Sequence, residues 1–169
     1  GTINSIGHNV EDSFKAVVAG ECGIDQITLF DPTEYSVKIA GEVKNFDPTT
    51  VMDKKEVKKA DRFIQLGIHA AHEAMFDSGL VDEDGKVSPD SANRFGIISA
   101  SGIGGLSTIE KNSVVNANRG PKRISPFFIP SSLVNMLGGF ISIAHGLKGP
   151  SLSHVTACAA STHAIADAT

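Results

Sequence analysis

The sequence predicts an α/β fold, in which helices and strands alternate along the chain. Residues 54–76 carry apolar side chains at three- and four-residue spacing, which is typical of a long helix with one face in the core. Residues 94–100 form a short apolar run of the kind found in buried strands. Residues 151–156 alternate as in a strand, whereas the Ala-rich segment from residue 159 onward is helical in pattern. These three observations indicate a domain that mixes both types of element.

Length and composition indicate an ordinary globular protein. The chain has 169 residues, of which 41% are hydrophobic and 20% are charged, so it has about one domain's length and enough apolar residues for a core. The net charge of -4 argues against general nucleic-acid binding. No apolar run is long enough to span a membrane, and no signal peptide opens the sequence. The two cysteines, Cys22 and Cys158, fit a reducing cytoplasm better than a disulfide.

The first part of the chain predicts a helix followed by a strand. The helix runs over 9–20, with Asn9 or His8 as its cap and Gly20 at its end. Alternation over 36–43 indicates a strand or a strand-like segment. The apolar stripe of the helix consists of Val10, Phe14, Val17 and Val18.

The predicted helix over 54–76 has two different faces. The face toward the core consists of Val57, Ala60, Ile64, Gly67, Ile68, Ala71 and Met75. The beginning of the helix is basic, with Lys54, Lys55, Lys58, Lys59 and Arg62. Such a run is commonly just a solvated face, but the helix dipole disfavours cations near a helix N-terminus. This placement indicates that the basic residues serve an acidic partner.

Two patterns that could bind a ligand are weak. His69 and His72 have a spacing that a metal ion can use, but no cluster of carboxylates or cysteines accompanies them. Residues 101–105 contain three glycines without the Lys-Ser/Thr of a phosphate loop or a complete G-x-G-x-x-G motif. We therefore predict no metal and no cofactor, and we expect the glycines to let the backbone approach another surface closely.

A second basic spot follows the predicted helix over 106–118. Lys122 and Arg123 form this spot, which is either a solvated loop or another contact for an acidic partner. Phe127 and Phe128 come next, between two prolines that predict a stiff, extended segment.

The last predicted helix before the cysteine runs over 133–145. Ser131 or Ser132 is expected to cap it. Gly138 and Gly139 lie inside its apolar pattern, which indicates a close contact with another helix or subunit.

Cys158 lies where the strand pattern changes to the helix pattern, so we expect it in a strand-to-helix turn. The N–H groups and the dipole of a helix N-terminus favour a thiolate, and the small neighbours leave room for a substrate carbonyl, as in a nucleophile elbow. The other interpretation is an unreactive, buried cysteine. Neither nearby histidine is a convincing general base, because strand geometry places His154 more than about 10 Å from the sulfur and His163 lies on a different helical face.

Seven stretches carry a resemblance to a known family. The one around the cysteine reads Leu147-Lys148-Gly149-Pro150-Ser151, then Thr156-Ala157-Cys158-Ala159, then Thr162-His163-Ala164-Ile165-Ala166-Asp167-Ala168. The others are Phe30-Asp31-Pro32, Ile39-Ala40-Gly41-Glu42-Val43, Asp61-Arg62-Phe63-Ile64-Gln65, Asp77-Ser78-Gly79-Leu80, Ser101-Gly102-Ile103-Gly104-Gly105-Leu106 and Ile124-Ser125-Pro126-Phe127-Phe128-Ile129-Pro130. In this order they resemble the β-ketoacyl-(acyl-carrier-protein) synthases, the condensing enzymes of fatty-acid synthesis. The last two favour the type II synthase.

The resemblance implies a thiolase-like layered α/β/α/β/α fold, of which this chain is the first, nucleophile-bearing half. It implies a 3-oxoacyl-(acyl-carrier-protein) synthase that holds the acyl group on Cys158 and condenses it with the enolate formed from malonyl-acyl-carrier protein. It further implies a cytoplasmic homodimer, with Ile103 and Phe128 at the acyl pocket near the subunit contact. The implied contacts to acyl carrier protein are Lys55, Lys58, Lys59, Lys122 and Arg123.

The ends of the sequence suggest an excerpt of a longer protein. The resemblance implies that residues 1–169 are an incomplete amino-terminal domain, lacking the first strand and the carboxy-terminal half with its two histidines, lysine and glycine-rich loop. A polyketide condensing enzyme is one alternative. A non-catalytic partner that binds carrier protein is another, and the retained Cys158 counts against it. A third alternative is that the excerpt is not a functional unit by itself, because its sheet is incomplete.

Overall fold

The computed structural model describes all 169 residues and contains seven α-helices and four short strands. The helices are α1 (Val10–Ala19), α2 (Lys54–Val57), α3 (Arg62–Asp77), α4 (Leu106–Arg119), α5 (Phe128–Ser132), α6 (Asn135–His145) and α7 (Ala160–Ala168). The strands are β1 (Ile24–Gln26), β2 (Ile39–Gly41), β3 (Ile97–Ala100) and β4 (Ser151–His154). This mixture confirms the predicted α/β class. None of the helices combines the length and the apolar character needed to cross a membrane.

The hydrophobic core lies between helices α3 and α6. Ile64 is fully buried, and Ile68 is buried one turn further along α3. Leu137 and Ile141 of α6 pack against them. Gly67 has no side chain where Leu137 packs, so the two helices come close together. The core face predicted for α3 is confirmed at these positions, and each buried aliphatic side chain stabilises the fold by about 1.5–3 kcal/mol.

Strands β3 and β4 form a parallel pair that positions the candidate site. Ile97 lies opposite Ser151, and Ala100 lies opposite His154. Because the strands are parallel, the segments that follow them leave the sheet at the same edge, where α/β folds commonly bind ligands. The strand predicted over 94–100 is confirmed only over its last four residues.

The two faces of this pair are covered by different helices. Helix α6 packs on the face that presents Ser99 and Ser151, and Gly138 permits this close approach. His154 projects to the opposite face, where it meets Asp167 of α7. The order of layers is therefore α3, α6, the strand pair and α7. The close contact predicted at Gly138 is confirmed as a contact between helix and sheet.

The prediction of a single helix over 54–76 is wrong, because Asp61 caps a new helix that begins at the next residue. Asp61 has extended backbone angles, and its Oδ1 accepts a hydrogen bond from the N–H of Phe63 at 3.3 Å. Its Oδ2 accepts from the N–H and the hydroxyl of Thr108 at 2.9 and 2.6 Å. The lysines before this cap therefore do not belong to the first turn of α3. These lysines are Lys54, Lys55, Lys58 and Lys59.

The segment around Phe127 and Phe128 is helical, which corrects the predicted extended structure. Phe128 begins α5, and the proline inside this five-residue helix falls in its first turn, where no helical N–H bond is lost. The predicted capping of the next helix by Ser131 or Ser132 is also wrong. The Ser131 hydroxyl donates to the Lys59 carbonyl at 2.7 Å, and the Ser132 hydroxyl donates to the Phe128 carbonyl at 2.6 Å.

Helix α1 begins and ends as predicted, but its apolar stripe is not buried in a core. Asn9 Oδ1 accepts the N–H of Asp12 at 2.7 Å, and Gly20 ends the helix with a φ of 71°. Only Ser13 and Ala16 of this helix are buried. The residues of the stripe are 51–72% exposed, namely Val10, Phe14, Val17 and Val18.

Strands β1 and β2 pair antiparallel, and β2 is shorter than the sequence predicts. The strand expected over 36–43 is reduced to Ile39–Gly41. Glu42 then leaves the ladder, because its carboxylate accepts the N–H and hydroxyl of Thr28 and the N–H of Leu29. The pKa of Glu42 is lowered, mainly because its carboxylate accepts the hydrogen bond from the Thr28 hydroxyl.

We expect Asp61→Ala to lower the free energy of unfolding of the full-length protein by about 2 kcal/mol, because the substitution removes a helix cap and leaves the half-buried N–H and hydroxyl of Thr108 without their partner. Urea unfolding measures the change. Asp53→Ala is the matched control, since Asp53 occupies the same position before α2 without forming a side-chain cap. Equal losses in the two variants would contradict this account of Asp61.

Candidate active site

The segment that links β4 to α7 forms a sharp turn at Cys158. Ala157 has a φ of 49°, a left-handed conformation that costs a residue with a Cβ about 1–2 kcal/mol. Cys158 follows inside a single 3₁₀ turn over 157–159, and α7 begins at Ala160. The Cys158 side chain is exposed and forms no disulfide. The predicted strand-to-helix turn is therefore confirmed, and the alternative of a buried cysteine does not fit.

The backbone N–H groups of this turn are not all engaged. The N–H of Ala159 donates to the Thr156 carbonyl at 3.0 Å, and the N–H of Ala160 donates to the Ala157 carbonyl. The N–H of Cys158 donates no hydrogen bond to another backbone or side-chain group. Helix α7 also has no side-chain cap. An unpaired N–H on the same residue as a thiol is a suitable donor for an oxyanion that develops beside the sulfur.

The glycine-rich turn after β3 lies beside the cysteine turn. The N–H of Ser101 donates to the His154 carbonyl at 3.3 Å, and a Cβ built on Gly102 would lie 3.6 Å from the Ala157 carbonyl oxygen. Gly104 has a φ of 86° and donates to the Ser101 hydroxyl at 3.0 Å. The side chain of Ile103 is 63% exposed at this turn.

Helix α5 closes against the other side of the same turn. The N–H of Gly105 donates to the Ser132 carbonyl at 3.0 Å, and a Cβ on Gly104 would lie only 2.6 Å from that oxygen. The predicted close approach of a glycine backbone to another surface is confirmed here. Phe128, at the start of α5, is half-buried. One turn thus connects the segment that carries Cys158 with the helix that carries Phe128.

The basic residues lie in two segments, one of which contacts helix α5. Lys55 and Lys58 are exposed, whereas Lys59 is half-buried, forms an ion pair with Glu56 at 2.5 Å and lies 5.9 Å from the centre of the Phe127 ring. The exposed Lys122 and Arg123 lie in a 3₁₀ turn that precedes α5 in the chain and packs against α4. Lys59 contacts α5 directly, because its carbonyl accepts a hydrogen bond from the Ser131 hydroxyl.

The histidines fall into two groups. His69 Nε2 lies 2.6 Å from the His8 carbonyl oxygen, and His72 packs on the Phe76 ring at 4.5 Å. Burial, with the nearby His145, lowers the pKa of His72. The second group is one that sequence reasoning missed: His154 and His163 stack at 3.9 Å between ring centres and share Asp167. The four-residue spacing of His163 and Asp167 on α7 was the available signal.

The whole chain is similar to proteins of a known family. A family model described as "Beta-ketoacyl synthase, N-terminal domain" matches residues 1–169. The chain is 44% identical over 168 residues to a protein of Vibrio cholerae named 3-oxoacyl-[acyl-carrier-protein] synthase 2, which covers 99% of this chain and 39% of the relative. The chain therefore spans about two fifths of the length of that relative.

Solved structures show the same fold. The crystal structure of a beta-ketoacyl synthase from Burkholderia phymatum STM815 matches 98% of this chain and 40% of that chain, with a TM-score of 0.78 and 18% identity. A type II polyketide ketosynthase in complex with its acyl-carrier protein matches 73% of this chain and 34% of that chain, with a TM-score of 0.64 and 27% identity. These matches confirm the predicted thiolase-like fold. Because the family model covers every residue, the chain belongs to the beta-ketoacyl synthase family as its N-terminal domain.

Proposed function

We propose that the protein is a 3-oxoacyl-(acyl-carrier-protein) synthase that elongates fatty acids, with Cys158 as its nucleophile. The observation that carries the proposal is the exposed Cys158 in a strained strand-to-helix turn, with its own N–H unpaired, in a chain that matches the synthase family over its whole length. The name of the Vibrio cholerae relative supports the choice of reaction.

The proposed reaction begins with acyl transfer to the cysteine. The Cys158 thiolate attacks the thioester carbonyl of acyl-acyl-carrier protein, which gives a tetrahedral intermediate. The negative oxygen of this intermediate accepts a hydrogen bond from the free N–H of Cys158. The carrier thiol leaves with one proton, and the acyl group remains on sulfur. Malonyl-acyl-carrier protein then loses carbon dioxide, its enolate carbon attacks the acyl group, and 3-oxoacyl-acyl-carrier protein leaves as Cys158 is regenerated.

The remaining catalytic groups are proposed to lie outside residues 1–169. This chain spans 39% of the Vibrio cholerae relative, which supports a longer protein with a carboxy-terminal half. We assign to that half the two histidines, the lysine and the glycine-rich loop that decarboxylation and condensation require. None of the six histidines in this chain is assigned a catalytic role.

Helix α5 links the proposed acyl pocket to the proposed carrier surface. Ile103 and Phe128 are assigned to the acyl pocket, because the turn of Ile103 contacts both the cysteine turn and the end of α5. The assigned carrier contacts are Lys55, Lys58, Lys59, Lys122 and Arg123, of which Lys59 contacts α5. A basic surface beside the entrance would attract an acidic carrier protein and align its acyl chain with the pocket. We further propose that the synthase is a cytoplasmic homodimer.

A polyketide condensing enzyme is the second candidate. The 27% identity to a polyketide ketosynthase that was solved with its acyl-carrier protein favours it. Both candidates use the cysteine, so the product distinguishes them. A fatty-acid synthase component releases a 3-oxoacyl group after one extension, whereas a polyketide enzyme extends an unreduced chain repeatedly.

We expect full-length protein incubated with acyl-acyl-carrier protein to gain one acyl group on Cys158, as intact mass and peptide mapping would show. Cys158→Ala should gain none. Cys22→Ala is the matched control and should be acylated normally, because Cys22 is also an exposed free thiol but lies far along the chain. An unmodified Cys158 in a protein that still binds the carrier would instead favour the non-catalytic partner.

Reversing two exposed charges, Lys55→Glu with Lys58→Glu, should raise the KM for acyl-acyl-carrier protein by roughly tenfold or more and leave kcat nearly unchanged, because the change weakens encounter and not chemistry. Steady-state kinetics at low and high salt measure both parameters. Lys15→Glu with Lys38→Glu makes the same change in net charge on other exposed elements. Equal effects of the two double variants would refute a specific docking surface.

Enlarging the side chain at the glycine-rich turn should shorten the acyl chains that the enzyme accepts. With Ile103→Phe, the larger ring would fill part of the proposed pocket, so kcat/KM should fall for long acyl groups and stay similar for short ones. A series of acyl-carrier thioesters of increasing length gives the measurement. Ile143→Phe, on an exposed position of α6, serves as the control. An unchanged length profile for Ile103→Phe would remove this residue from the pocket.

A further inference from the structure

Two histidines and one aspartate meet between β4 and α7, on the face of the strand pair away from α6. Asp167 Oδ2 lies 3.0 Å from His154 Nε2 and 3.7 Å from His163 Nε2. The three ligand atoms all lie within 4.8 Å of one another. We propose that His154, His163 and Asp167 bind one zinc ion that ties strand β4 to helix α7.

The distances fit a single tetrahedral ion. Zinc binds imidazole nitrogens and carboxylate oxygens at about 2.0–2.2 Å, and this geometry places neighbouring ligand atoms about 3.3 Å apart. The two measured distances to Asp167 Oδ2, 3.0 and 3.7 Å, lie on either side of that value. Both Nε2 atoms therefore lie at a suitable distance from the carboxylate, and the two rings, which stack at 3.9 Å between centres, would have to rotate apart to direct both nitrogens at one ion.

His154 has a buried nitrogen that the protein leaves without a partner. Its side chain is 14% exposed, and its Nε2 has no hydrogen-bond partner although Asp167 Oδ2 is within 3.0 Å. The distance permits a hydrogen bond, so the orientation is what fails: the oxygen lies beside the bonding direction of the nitrogen. An unpaired buried polar atom is also costly, and coordination would remove that cost.

The ligand set favours zinc among the common ions. Two imidazoles and one carboxylate form a known zinc set that leaves a fourth position for water. Imidazole suits zinc, copper, iron and nickel, whereas magnesium and calcium prefer oxygen ligands. His163 and Asp167 are four residues apart on α7 and so share a face, and β4 supplies the third ligand. This proposal departs from the sequence prediction of no metal, which did not consider this cluster.

A metal-free ion pair explains the cluster less completely. One protonated histidine beside Asp167 would account for the 3.0 Å contact. It would leave the second ring stacked on the first, at 3.9 Å and 25° between planes, with its Nε2 turned toward the same carboxylate oxygen. A metal ion uses both nitrogens and the carboxylate at once.

The position of the cluster assigns it a structural role. His154 lies four residues before Cys158, and His163 lies five residues after it. An ion bound to both would fix the two ends of the segment that contains the strained turn, without contacting the sulfur. This inference does not depend on Cys158 being the nucleophile, so it can fail or succeed separately from the proposed function.

Metal titration of the full-length protein tests the proposal. After treatment with a chelator, the protein should bind one equivalent of Zn²⁺ by elemental analysis, and Co²⁺ in its place should show the visible absorption of a tetrahedral site. His154→Gln and Asp167→Asn should each weaken binding at least roughly tenfold. His72→Gln should leave binding unchanged, because His72 also neighbours a second histidine but has no carboxylate partner. Cys158→Ala should bind normally, which excludes coordination by its thiolate.

Two outcomes would overturn the site. One is wild-type protein that retains no metal, and the other is full affinity in both His154→Gln and Asp167→Asn. Crystals of the wild-type protein soaked in Zn²⁺ give a readout that needs no variant, in case the substitutions prevent folding. An anomalous peak within about 2.2 Å of both Nε2 atoms supports the proposal. A peak elsewhere, or none, refutes it.

Discussion

The candidate site depends on the packing of α6 against the strand pair. Gly138 brings this helix close to Ser99 and Ser151, while Leu137 and Ile141 on its other side pack into α3. The helix thereby fixes β3 and β4 relative to the core. Since the strands are parallel, fixing them also fixes the two turns at their carboxyl ends. Any enlargement at Gly138 would move both turns together, so the geometry around Cys158 is a consequence of packing about one helix.

Hydrogen bonds between side chains and the backbone hold the helices around the site in place. Asp61 caps α3 and also holds the first turn of α4 through Thr108. The Ser131 hydroxyl binds the Lys59 carbonyl, so α5 is tied to the residues just before the Asp61 cap. This hydrogen bond holds the segment with the lysines against the helix with Phe128. A carrier protein that bound the lysines would therefore contact a surface that is connected to the glycine-rich turn through α5.

The sequence predicted the structure best where a local signal determines it. The ends of α1 follow from Asn9 and Gly20, and the turn at Cys158 follows from the change of pattern at that residue. The core face of α3 follows from regular apolar spacing, and all three predictions are confirmed. Prediction was wrong where a local signal competed with a longer pattern. Apolar spacing continues through Ala60, but the cap at Asp61 ends one helix and starts another. In the same way, Ser131 and Ser132 resemble caps, yet their hydroxyls bond to carbonyls instead.

The cluster of His154, His163 and Asp167 was not predictable, because its members come from two elements whose relative position depends on tertiary packing. Cys158 was predictable, since all the relevant features lie in one continuous segment. The same contrast applies to the surfaces around the cysteine. Leu152, Val155 and Ile165 are 49–66% exposed on either side of the turn. Exposed apolar residues in this arrangement mark a surface that another part of a protein covers.

Coverage of that surface would change the chemistry of the site. In the proposed longer synthase, the apolar side chains around Cys158 would be removed from water, and the effective dielectric around the sulfur would fall. The free N–H of Cys158 would then stabilise a developing oxyanion more strongly than it does in an open turn, since no water competes for the same oxygen. The turn supplies the nucleophile and one donor in fixed geometry. The strength of that donor depends on what lies over it, and the two halves of a synthase would therefore contribute to catalysis together.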